Sequence, residues 1–175
     1  NACGSHSLVY GSTRDHTLEL KTILSDGSEA VFGQIDKERF NIRCGQNNLE
    51  GSIYRNINNI LTNNNNRDKI TKEFPDPRIK RRNTGYAVDE LLKTNIFSTS
   101  EEKINIAKLL CGSEGTLAFT TEVTLKVDDL PPTHNIMVAA HFHTIQESLE
   151  AVMIAMKHHL YTCEMMDDTI LNCTK

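Results

Sequence analysis

No stretch of this 175-residue chain approaches the ~20 consecutive apolar residues that a bilayer-spanning helix needs. Nor does it open with the basic, apolar, small-residue succession of a secretory signal, so neither a membrane span nor an anchor is expected. A general excess of positive charge is also lacking. The formal net charge of -4 argues against a nucleic-acid binder, and the single basic run, Arg78 to Arg82, reads as a solvated loop. The five cysteines (Cys3, Cys44, Cys111, Cys163 and Cys173) are odd in number and widely spaced, with no Cys-x-x-Cys pair. That pattern disfavours a disulfide framework and a zinc knuckle, and it suits a reducing cytoplasm. His141 and His143 fall on one face of an expected strand, but two ligands without a third make no metal site. Internal repeats are absent, and no Ser-His-Asp or Cys-His constellation can be argued from loops whose separations the sequence hides. What is present is 38% apolar content, enough to build a real core in one domain, or in one domain and part of another, whose partners are small molecules or proteins.

The chain is organised around Gly112 to Val127. From Leu117 onward the residues alternate, with Leu117, Phe119, Thr121, Val123, Leu125 and Val127 on one side, which predicts a long, half-buried strand. Before it, Ile104 to Leu110 reads as the apolar side of a helix over 101–110. Thr99 and Glu102 would open that helix as a capping box and Gly112 would close it in the left-handed conformation. The two glycines of Gly112-Ser113-Glu114-Gly115-Thr116-Leu117 leave the backbone N–H groups of Ser113 to Thr116 clear of side-chain bulk. An anion or a flat ligand could approach them closely, and a plain tight turn is the alternative reading.

Taken in order, Cys3 to Thr13 is rich in small residues and reads as a loop with exposed backbone. Leu18, Leu20, Thr22 and Leu24 alternate into Asp26-Gly27, the strongest short hairpin signal, and the chain returns through Ala30 to Phe32. Ile53, Ile57, Ile60 and Leu61 make a helical core face, followed by the run Asn63 to Asn66, which reads as a loose loop. A short helix around Lys69 to Phe74 is cut by Pro75 and Pro77, and a helical turn is expected around Asp89 to Leu92. Pro131 and Pro132 mark a boundary. Beyond it, Ile136 to Phe142 has strand length, and Thr144 with Glu147 caps a helix striped by Leu149, Val152, Met153 and Met156, its methionines read as core filler. Leu160 to Met165 reads as a further strand, and Asp167 or Asp168 as the cap of a last helix. This strand-helix-strand-helix start is half a domain, and the whole reads as a piece of a longer protein.

Gly4-Ser5-His6-Ser7, Tyr10-Gly11, Thr13-Arg14-Asp15, Leu24-Ser25-Asp26-Gly27, Arg82-Asn83-Thr84-Gly85-Tyr86 with Asp89-Glu90-Leu91-Leu92, and Gly112 to Leu117 with Thr121-Glu122 follow one another across nearly the whole chain. Together, in this order, these blocks resemble the FAD-linked oxidase family, which includes the glycolate oxidase flavoprotein subunit and the D-lactate and D-2-hydroxyglutarate dehydrogenases. The segment ending in Cys163-Glu164-Met165-Met166-Asp167 is similar to the opening of that family's C-terminal substrate-side domain.

The resemblance implies an α+β fold: an antiparallel sheet flanked by helices, the second subdomain of a PCMH-type FAD-binding domain over 1–130, then the start of an α+β cap domain over 131–175. It implies FAD contacts along Gly4, Ser5, His6, Ser7, Tyr10 and Gly11, and at Gly112, Ser113, Glu114, Gly115, Thr116 and Leu117. Ala118 stands where the family usually has a third glycine, and its methyl group slightly restricts backbone approach at the turn. The family's main pyrophosphate loop lies upstream of these residues, and its catalytic histidines and substrate-binding arginine lie downstream, so no catalytic residue is named. The implied reaction is oxidation of a D-2-hydroxy acid (lactate, glycolate or 2-hydroxyglutarate type) by hydride transfer to FAD. Electrons then pass to an iron-sulfur, quinone or cytochrome partner, with the protein in the cytoplasm or, through that partner, at the membrane periphery. The 175-residue piece by itself is expected to fold without its flavin, to be inactive and to self-associate through the bared FAD face. Two rivals are a non-catalytic α+β binding module and a flavin oxidoreductase of the same superfamily with another substrate.

Overall fold

The Asp26-Gly27 turn is where the sheet begins. Gly27 takes the left-handed φ of 82° that a side chain resists, and Asp26 Oδ1 accepts hydrogen bonds from the Ser28 amide and hydroxyl at 3.0 and 2.6 Å. The hairpin so closed joins β1 (Thr17–Ile23) to β2 (Glu29–Ile35). This is a computed structural model, and it describes residues 3–76, 78, 79 and 85–174. The Arg82-Asn83-Thr84 part of the motif ending at Tyr86, and most of the basic run, lie outside the described residues. Packing divides the described chain into two units, Ser12–Val127 on the one hand and Cys3–Gly11 with 128–174 on the other.

In the first unit, four strands among the described residues form an antiparallel sheet ordered β3-β2-β1-β4. The expected α+β architecture with an antiparallel sheet is what the chain adopts. β1 buries Thr17, Leu20 and Thr22, with Leu24 just beyond its end, and β2 buries Ala30 and Phe32. α3 (Lys37–Cys44), α4 (Leu49–Thr62), α5 (Asn64–Glu73) and α6 (Val88–Leu92) supply Phe40, Tyr54, Leu61, Ile70 and Leu91 to the same core. Its aromatic centre is tightly organised. Phe40 meets Tyr54 edge-on at 5.6 Å between ring centres and Phe97 edge-on at 6.0 Å, geometries that each add about 0.5–1.5 kcal/mol beyond area burial. On α4, Tyr54 and Leu61 occupy the core face, Ile53 and Ile57 are half-buried against it, and Ile60 is exposed, contrary to expectation.

Three further expectations fail in this unit. The helix expected over 101–110 does not form. Ile104–Asn105 is instead strand β3, both residues buried and paired with Ile35 and Gln34, and only α7 (Ala107–Leu110) is helical. The Thr99/Glu102 pattern mimics a capping box, but complete burial of a β-branched Ile104 on the sheet edge outweighs local propensity. The asparagine run is not a loop. Asn63 Oδ1 accepts from the Asn66 amide at 3.2 Å and opens α5, the position where asparagine is a preferred cap. The strand β4 (Phe119–Leu125) exists, but it is exposed along its whole length rather than half-buried. A bulge at Thr121 lies between the pairs Lys21↔Glu122 and Thr22↔Thr120. The extra residue flips the alternation, so Val123 shares the face of buried Leu20 while Phe119 pairs with Ile23 on the opposite face.

In the second unit, the supposed loop near the start contains the helical turn α1 (Ser7–Tyr10). The next turn of that stretch, α2 (Thr13–His16), belongs to the first unit. α8 (Ile145–Ala155) carries the expected box: Thr144 Oγ1 accepts from the Glu147 amide, and the Glu147 carboxylate accepts from the Thr144 amide, both at 3.2 Å. Asp167 caps α9 (Asp168–Asn172) through the Ile170 amide at 2.8 Å. Neither Ile136 to Phe142 nor Leu160 to Met165 is a strand. A strand exists only as part of a ladder, and no described segment pairs with them. His141 and His143 therefore share no strand face. Met153 and Met156 are not core filler, being 71% and 50% exposed.

Candidate functional site

Two single-turn helices and a buried amide hold the glycine turn in the first unit. α7 is too short to be stable by itself, and its partners come from distant parts of the chain. Asn105 Nδ2 donates to the carbonyls of Thr17 and Leu18 at 3.4 and 3.0 Å, while Asn105 Oδ1 accepts from the Ala107 amide at 2.9 Å. Arg14, on α2, donates from Nε to the Lys108 carbonyl at 3.0 Å and from Nη2 to the Cys111 carbonyl at 2.7 Å. Cys111 Sγ lies 3.3 Å from Thr17 Oγ1.

Beyond Cys111 the backbone turns through three left-handed residues, Gly112 at φ 91°, Glu114 at 53° and Gly115 at 77°. Gly112 is left-handed as expected, at the end of a helix much shorter than expected. The Ser113 amide donates to the Leu110 carbonyl, the Thr116 amide to the Ser113 carbonyl, both at 3.0 Å, and Thr116 Oγ1 to the Ser113 carbonyl at 2.6 Å. Two of the four anticipated donors are thus used inside the turn. Among the described residues the N–H groups of Glu114 and Gly115 have no partner. Ser113 is buried, whereas Glu114, Gly115, Thr116 and Leu117 are exposed. A Cβ built on Gly115 would meet nothing within 4 Å, so a ligand could reach its backbone.

The Tyr86 hydroxyl and Thr116 Oγ1 are 2.7 Å apart, which brings together two motif blocks distant in sequence. Tyr86 also lines, with Glu73, Phe74, Pro75, Gly85 and Val88, an open groove of about 560 Å³. The turn therefore offers two unpaired amides, with an aromatic ring and a mainly apolar groove in the same unit. Glu114 supplies the nearest carboxylate in sequence, and its charge disfavours a phosphate more than a neutral acceptor. Neither the Arg14 clamp nor the Tyr86–Thr116 bond could have been found from spacing, since the partners are 94, 97 and 30 residues apart.

The other six candidates, Gly4, Ser5, His6, Ser7, Tyr10 and Gly11, lie in the second unit. The Gly4 carbonyl accepts from the Ser7 amide and hydroxyl at 3.0 and 2.6 Å, and the His6 carbonyl from Val9 and Tyr10. Gly11, at φ 74°, ends the helical turn by donating to the Ser7 carbonyl at 3.0 Å. Ser7 is buried, while Gly4, His6 and Gly11 are exposed. Tyr10 tilts against Tyr161 with ring centres 6.2 Å apart; desolvation, then the neighbouring Tyr161 and the Asp128 charge, raise its phenol above the ordinary value. Among the described residues no three His, Cys, Asp or Glu side chains gather as a metal site, and no helix is long and apolar enough to cross a membrane.

Comparison with known proteins gives a consistent result. No family model matches the chain, and no solved structure does so significantly. Curated relatives do. The chain is 27% identical over all of its 175 residues to the D-2-hydroxyglutarate dehydrogenase of Pantoea ananatis, and 28% identical over 171 residues, 98% of the chain, to that of Pseudomonas putida. The Escherichia coli protein of that name is 27% identical over the whole chain. In each case the chain spans 16% of the relative's length. Proteins named D-2-hydroxyglutarate dehydrogenase, among the enzymes its ordered motifs resemble, are thus similar to this chain over all or nearly all of its length.

Proposed function

We propose that this chain is part of a flavin-dependent dehydrogenase that oxidises a D-2-hydroxy acid, with D-2-hydroxyglutarate as the first substrate to test. The observation that carries this reading is the similarity of the whole chain to proteins named D-2-hydroxyglutarate dehydrogenase. Residues 1–130 would form the second subdomain of a PCMH-type FAD-binding domain and 131–175 the start of the cap.

The residues present fit contact with FAD at the turn: two unpaired amides, positive φ at Gly112 and Gly115 and open space where a Gly115 side chain would stand. With Glu114 alongside, those amides suit a neutral acceptor of the ligand, such as a ring carbonyl, better than its pyrophosphate. When bound, FAD supplies the hydride acceptor; this chain's residues bind and orient it. Gly4 to Ser7, Tyr10 and Gly11 would give a second stretch of contact. Electrons would leave to an iron-sulfur, quinone or cytochrome partner, in the cytoplasm or at the membrane periphery.

The test is to purify the protein encoded by the full reading frame, identify its bound cofactor, and assay D-2-hydroxyglutarate, D-lactate and glycolate with an artificial electron acceptor. FAD and turnover of a D-2-hydroxy acid are expected. A flavin-free protein inert to all three would leave the non-catalytic binding module as the better reading, and a flavoprotein inert to all three would favour another substrate.

A further inference from the structure

We propose that Arg14 is the positioning residue of the glycine turn, fixing the direction in which the Glu114 and Gly115 amides point. Its importance for ligand binding rests on the reading that this turn touches the cofactor; its hold on the turn does not. α7 has four residues; the Ala107 carbonyl takes the Cys111 amide and the Leu110 carbonyl the Ser113 amide, and a single turn so closed has little stiffness of its own. Arg14 is only 5% exposed, and its planar fork takes two further carbonyls at once, Lys108 within α7 and Cys111 just beyond it at the entry to the turn. The helical turn that carries Arg14 is itself capped. Asp15 Oδ2 accepts from the Ser12 amide at 2.7 Å and from the Ser12 hydroxyl at 2.9 Å, which sets the start of α2. Asn105 anchors the other end of α7 to β1. The Cys111 carbonyl therefore has a fixed position, and Gly112, Ser113 and the two unpaired amides follow from it.

Lysine cannot reproduce this. A single ammonium reaches one carbonyl or the other, not both in a fixed plane. Arg14→Lys should hold the turn partly, and Arg14→Met should remove the fork's share of the hold.

The test uses the full-length protein and reads amide hydrogen exchange of peptides covering 108–118, with peptides from β1 and β2 as the internal reference. In Arg14→Met, exchange at 108–118 should rise about tenfold or more, the factor expected from losing a charged hydrogen bond, while β1 and β2 stay as in the wild type. Arg14→Lys should fall between, and it decides the matter if the methionine variant does not fold. Unchanged exchange at the turn, or a rise spread evenly over the unit, overturns the proposal. FAD titration of the flavin-stripped proteins is the second readout, with affinity expected to drop about tenfold in Arg14→Met. If the wild type binds FAD and the loosened variant binds it equally well, the turn's geometry does not matter to the ligand and that part of the proposal falls. If the wild type binds no FAD, the functional reading falls while the exchange result still judges Arg14.

Discussion

Tyr54 shows how a single buried residue can set the response to pH. It is 1% exposed at the aromatic centre of the core, and burial first, then the Glu50 charge, push its phenol from 10.0 up to about 12. The folded chain therefore keeps a proton that the unfolded chain releases. Stability is full below the unfolded value of 10.0 and declines as pH rises toward the folded value, by about 2–3 kcal/mol in all. Urea unfolding followed through this alkaline range should show that decline in the wild type and a flatter profile in Tyr54→Phe; parallel profiles would mean that Tyr54 is not its source. A second residue-scale prediction concerns Gly115. Its φ of 77° makes any side chain strained, by about 1–2 kcal/mol. A valine there would also fill the space in which a ligand meets the backbone. In the full-length protein Gly115→Val should lower flavin retention more than thermal stability; equal flavin content in variant and wild type would make the turn purely structural.

At the scale of elements, what could be read from the sequence was local chemistry. Asp26-Gly27, the Thr144/Glu147 box and the Asp167 cap each act through atoms within four residues, and each appears as expected. The misreadings have long-range causes. β3 exists because β2 lies beside it, and Thr99 with Glu102 could not reveal that. The Thr121 bulge is seen only in the pairing with β1, where Thr121 Oγ1 donates to the Lys21 carbonyl at 3.1 Å. Ile136 to Phe142 has a strand's composition without a partner strand among the described residues. The asparagine run was legible in principle, because asparagine favours helix caps as well as loops. Asn63→Ala should therefore cost about 0.5–2 kcal/mol in chemical denaturation, with Asn63→Asp close to wild type. An alanine variant as stable as the wild type would mean the cap adds nothing. For the candidate site, the sequence showed which residues make the turn but not what holds it, since Arg14, Asn105 and Tyr86 act across the fold.

At the scale of the molecule, much apolar surface is uncovered. Phe119 is 70% exposed, Ile136 92%, Met137 94% and Met153 71%, more than isolated surface hydrophobes account for. The 175-residue chain by itself is accordingly predicted to purify without colour and to self-associate, a stoichiometric flavin spectrum or a strictly monomeric elution contradicting the respective part. The contacts described here would be one share of the binding, and losing even ~4 kcal/mol of the remainder weakens affinity about a thousandfold. Those contacts matter only if the whole protein is the flavin enzyme proposed. The most direct measurement is anaerobic titration of the full-length protein with D-2-hydroxyglutarate, following the oxidised-flavin band near about 450 nm. The account predicts that the D enantiomer bleaches this band and the L enantiomer leaves it intact; a protein without the band, or one whose band no D-2-hydroxy acid bleaches, would contradict it.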